Sequence, residues 1–291
     1  MQRNLTNLVL VVGLLWVITA CVCPSGRGQE SGYPDSPPSS NAKGSTPIKN
    51  SGNSKNKDEG DFTVQHFPVT TSKYVELDRS VKQEKLLENA ADQLNKALAL
   101  PHNIELRTKE CGEVNFFYSS DDHSVTACYE MMEHFYLIFR SGGLSENEAN
   151  KKMLDAVRFA FLHEIGHALI DAYKLPIMGN EEDAADRCSA YINLEELGQE
   201  GVNAVLAAAD AFAIGSKQVA PDKRNMADEH LLQEQRFYNS LCMTYGSNTT
   251  KYDYLVSKGY LPKARAERCS TEYSKTVESW KNLLAPWRKN T

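Results

Sequence analysis

The chain has 291 residues, 38 acidic against 32 basic side chains, and a formal net charge of −6. No long run of Lys or Arg occurs, so nucleic acid is not an expected partner. None of the seven cysteines has zinc-knuckle spacing, which excludes thiolate metal binding of that kind.

In chain order, residues 1–20 hold a short apolar run after a single arginine and read as a signal peptide, too short for a confident membrane span. Ile18-Thr19-Ala20-Cys21 has the pattern of a bacterial lipobox, so Cys21 is the expected lipid carrier. The expectation is an exported bacterial lipoprotein anchored to the membrane, with its domain in the periplasm or extracellular space; plain secretion is the alternative. Residues 21–62 are rich in Pro, Gly, Ser and Asn and read as a flexible linker between the lipid and a folded domain over 63–291.

Within that domain, a helix is expected over about Ser80–Leu100, closed by Pro101. Ile104–Arg107 alternates as a short strand. Two further strands flank a Ser-Ser-Asp-Asp turn, and Tyr129–Arg140 reads as helix. Ser145 and Glu148 form a capping box that opens a long helix reaching about Tyr173. Pro176 and Gly179 turn the chain, and Asn180 caps a second helix. Three more helices fall near 201–213, 227–245 and 262–284. The pattern is helix-rich α+β with one small antiparallel sheet. Cys111 and Cys128 flank the two strands, while Cys242 and Cys269 lie on the last two helices, so these are the natural disulfide pairs. Cys23 falls in the linker and Cys188 is then a buried free thiol, although spacing alone leaves the connectivity open.

The chemistry concentrates in residues 163–186, HEIGHALIDAYKLPIMGNEEDAAD. His163 and His167 project from one helical face a turn apart and can offer two nitrogens to a zinc ion. Glu164 beside them can take the proton of an attacking water. On the second helix Glu182 is the expected third ligand, because Asp186 four residues on can then hold the free N–H of a ligating histidine. Glu181 competes for the ligand role, or is a first-turn acid favoured by the helix dipole. His66, His102, His123 and His134 show no ligand spacing and read as surface or packing residues.

HExxH followed by ExxxD resembles the gluzincins, the thermolysin-like zinc peptidases. Asn115-Phe116-Phe117-Tyr118 resembles the edge strand that aligns substrate above the metal in those enzymes, with Phe116 in place of a small residue. The interval between the two motifs is also shorter than in thermolysin itself. The segments ECGEVNFFY, CYEMMEHF, DEHLLQEQRFYNSLCMTYGS and LPKARAERC are similar to those of an uncharacterised bacterial family of proposed metallopeptidases. The likeness implies a zincin-like fold, one zinc per chain and a peptide or protein substrate laid along 115–118. It also implies an oxyanion donor downstream, for which His230 is the candidate and Arg236 the substitute. Two other functions fit the same residues: a lipid-anchored scaffold with a structural or vestigial zinc site, and a zinc hydrolase of non-peptide cell-wall amides.

Overall fold

The computed structural model describes residues 57–289. The signal peptide, Cys21, Cys23 and all but the last few residues of the linker lie outside the described residues. β1 (Phe62–His66) leads through α1 (Val75–Glu84) and α2 (Leu86–Ala97) to β2 (Ile104–Lys109). The two strands pair in parallel, Phe62 opposite Ile104 and His66 opposite Thr108. β3 (Phe116–Ser119) and β4 (Ser124–Cys128) form an antiparallel hairpin around the expected turn, with Tyr118 opposite Val125. β4 then pairs in parallel with β2, giving the order β1-β2-β4-β3 and leaving β3 at an edge.

The α+β class therefore holds, but the sheet is mixed and not antiparallel throughout. The reason is the helical excursion between β1 and β2, since a chain that leaves a sheet through helices can return parallel. Phe62, the last residue assigned to the linker, already lies in β1, and the amides of Glu59 and Gly60 bond to the Leu100 carbonyl. The single helix expected over 80–100 starts earlier and divides at Lys85, whose φ of 50° is left-handed.

The remaining elements are helical: α3 (Tyr129–Ser141), α4 (Glu146–Ala172), α5 (Glu181–Glu196), α6 (Gly198–Gly215), α7 (Gln233–Ser247), the short α8 (Tyr254–Ser257) and α9 (Lys263–Ala266), and α10 (Cys269–Leu284). α4 is the central strut, packed against α3, α5, α6 and the β3–β4 hairpin. Val157, Phe161, Leu162, Ile165 and Leu169 are all buried along it, so its second half is covered on most sides. No helix among the described residues is long and apolar enough to cross a membrane. Cys111–Cys128 ties the segment before β3 to the end of β4, and Cys242–Cys269 joins α7 to α10. Cys188 is buried and free.

Candidate metal centre

α4 owes its start to the capping box: the Glu148 amide donates to the Ser145 hydroxyl, and the Glu148 carboxylate accepts the Ser145 amide at 3.0 Å. Four turns later it carries His163, Glu164 and His167. α5 begins at Asn180, whose side chain accepts the Asp183 amide at 3.1 Å, so Glu182 falls in the first turn and Asp186 one turn on. The two helices meet closely at Gly166. A Cβ there would lie 3.0 Å from the Ala185 Cα and 3.1 Å from the Cys188 Cβ. Gly166→Ala gains about 1 kcal/mol of helix propensity but forces the helices apart, a cost of about 1–3 kcal/mol. The expected result is a net loss of stability in chemical denaturation, because a backbone atom of α5 has little room to yield.

Four candidate ligand atoms gather around Glu182. The His163 Nε2 lies 3.0 Å from the Glu182 Oε2, and the His167 Nε2 lies 3.2 Å from the His163 Nε2 and 3.4 Å from the Glu182 Oε2. The His230 Nε2 approaches the same Glu182 oxygen at 2.9 Å. Ligand atoms about 2.1 Å from a tetrahedral ion stand roughly 3.4 Å apart, so His163, His167 and Glu182 have the spacing and the nitrogen–carboxylate chemistry of a zinc-type site. The ligand atoms of His163, Glu182 and His230 also all lie within 4.8 Å of one another. Carboxylates hold the opposite ring nitrogens. The His163 Nδ1–H donates to Asp186 at 2.8 Å, the His167 Nδ1–H to Glu181 at 2.9 Å, and the His230 Nδ1 faces Asp228 at 3.3 Å. For His163 and His167 this leaves the Nε2 lone pair free to face a metal ion.

The electrostatics follow from this packing. Burial alone would depress the His163 imidazole, but Asp186 and Glu182 raise it to about 9. His167 is also raised against its burial, by Glu182 and Glu181. Burial opposes the ionisation of Glu182, yet the surrounding histidines hold it far below the carboxylate range. Glu164 goes the other way: burial pushes it up, only partly offset by the neighbouring histidines.

The motif opens onto a cleft of about 960 Å³. Asn115, Phe116, Phe117 and Tyr118 line one side of it, and the Tyr118 amide bonds to the Glu164 carboxylate. The Tyr118 hydroxyl donates to Asp171 at 2.8 Å, fixing the edge strand to α4. His230 and Arg236 line the cleft as well. His230 stands near the start of a helix, as expected, but just before it and not inside a helix over 227–245. α7 begins only at Gln233, because Asp228 accepts the His230 amide at 2.9 Å and the Asn180 side chain donates to the Glu229 carbonyl at 2.6 Å, which holds this segment as a loop.

Three contacts were not foreseen from sequence. Glu181 bonds to His167 and does not take Glu182's place. Arg236 forms a two-pronged pair with Asp186, at 2.7 and 2.6 Å, and stacks over Phe212 at 4.3 Å. His134, read as surface or packing, lines the cleft. The Glu181 contact had a signal, an acid at the cap of the second helix. The other two depend on how α3 and α7 dock, which no local pattern reveals.

An α+β scaffold here brings histidines and a carboxylate together beside an open cleft, an arrangement that can hold a metal ion. The chain belongs to the DUF4344 family, described as "Putative metallopeptidase", whose model matches residues 66–284. Searches of curated proteins and of solved structures find no match to this chain.

Proposed function

We propose that this protein is a zinc-dependent peptidase of the gluzincin type, with His163, His167 and Glu182 as ligands and Glu164 as general base. The observation that carries the reading is the convergence of the imidazole Nε2 atoms on Glu182, with Glu164 buried beside them under the edge of β3. A zinc ion held there supplies a Lewis acid and lowers the pKa of a water in contact with it. The Glu164 carboxylate accepts the proton of the attacking water and passes it to the leaving amine. The free edge of β3 offers backbone groups to an extended peptide, as strand addition requires. Arg236 is committed to Asp186, so the oxyanion donor assigned here is His230, through its Nε2–H.

One contact favours a second reading. With its Nε2 2.9 Å from Glu182, His230 could serve as a fourth protein ligand and close the site, as in structural zinc centres. His230→Ala separates the two. As a donor its loss lowers kcat by about 10²–10³-fold with zinc retained; as a ligand its loss releases the metal. The peptidase reading as a whole is tested by cleavage of a peptide library beside a peptidoglycan digest. We expect peptide cleavage that a chelator abolishes and zinc restores; digestion of the cell-wall amide alone would overturn it. The two disulfides support an oxidising compartment, and with the lipobox pattern at Cys21 they favour a membrane-tethered, extracytoplasmic enzyme.

A further inference from the structure

Besides the ligand cluster, the lining of the same cleft includes apolar side chains from three helices. Phe135 and Ile138 come from α3, Phe159 from α4, and Ala208, Ala211 and Phe212 from α6. Into this lining α3 also brings His134. Six of the seven histidines are engaged: His66 with Thr108 and Glu88, His102 with the Asn103 carbonyl, His123 with Tyr118, and the three of the metal cluster with carboxylates. His134 alone has no hydrogen-bond partner among the described residues, and only burial acts on its ionisation, lowering its pKa. At neutral pH it therefore presents one N–H donor and one nitrogen acceptor.

A purely apolar side chain packed against His134 in the cleft would cover this imidazole and leave it unmatched, a cost that a hydrogen-bonding ligand avoids. The aromatic walls favour a ring, and the imidazole favours a ring with a polar tip. Resting on the peptidase reading, we infer that His134 is a specificity-determining residue that selects tyrosine over phenylalanine next to the scissile bond, by accepting the phenolic hydrogen. The two aromatic side chains differ by one hydroxyl, so the discrimination isolates this contact from the general apolar fit.

The experiment compares kcat/KM for matched peptide pairs carrying Tyr or Phe on either side of the cut bond, with cleavage mapped by mass spectrometry. The native protein should favour Tyr by about 10-fold or more at one of the two positions. His134→Leu should bring that ratio near one, mainly through the Tyr peptide, and His134→Gln, which keeps a donor and an acceptor, should restore part of it. A native protein that cleaves both peptides without preference, or a preference that survives His134→Leu, overturns the assignment of His134 alone. Failure of the native, zinc-loaded protein to cleave either peptide overturns the peptidase reading and this inference with it.

Discussion

Glu164→Gln is expected to lower peptide cleavage by about 10²–10⁴-fold while leaving the bound zinc in place. Gln has the same length and can still accept the Tyr118 amide hydrogen bond that holds the Glu164 side chain under the edge strand. What it cannot do is receive a proton. Burial already raises the Glu164 carboxyl above its ordinary value, which brings its basicity closer to that of a working base. Steady-state kinetics on the variant, paired with metal analysis of the same sample, checks both halves of the expectation. Near-native turnover would remove Glu164 from the mechanism. Loss of zinc together with activity would make it a structural support for the site.

The second large effect is expected at Asp186. Its carboxylate bonds to the His163 Nδ1–H and, on both oxygens, to Arg236, and each partner of that ion pair has a side chain only 16% exposed. Asp186→Ala leaves the guanidinium enclosed against Phe212 without its counter-charge, which costs about 3–5 kcal/mol in comparable buried pairs. It also frees the His163 ring, so zinc affinity should fall by about 10–100-fold. Chemical denaturation with and without zinc measures the two losses separately. Arg236→Leu removes the other partner and should destabilise by a similar amount, and the double variant should lose less than the sum of the two. A midpoint for Asp186→Ala close to that of the native protein would show that the pair does not support this helix crossing.

The parts of this molecule that sequence revealed are those in which local signals agree. The Ser145 capping box and the burial pattern of α4 locate the helix that carries His163, Glu164 and His167. The Asn180 cap does the same for Glu182 and Asp186, and the four-residue spacing anticipates the bond from Asp186 to His163. β1 escaped because FTVQH is five residues long and continues a polar segment, and its parallel pairing depends on β2, some forty positions away. The break at Lys85 escaped because one left-handed residue leaves the apolar stripe of α2 undisturbed. Arg236 stands fifty positions from Asp186, and His134 is one polar residue on a mostly apolar helix face, so their roles emerge only when α7 and α3 are docked.

The proposed catalytic zinc, held by two turns of α4 and one of α5, is tested most directly by the metal content of the protein. The purified native protein, loaded with zinc and dialysed, should retain one equivalent per chain by elemental analysis. His163→Ala and Glu182→Ala, treated identically and shown by circular dichroism to be folded, should retain far less. A native protein that holds no zinc, or folded variants that hold as much as the native chain, would rule out this zinc site.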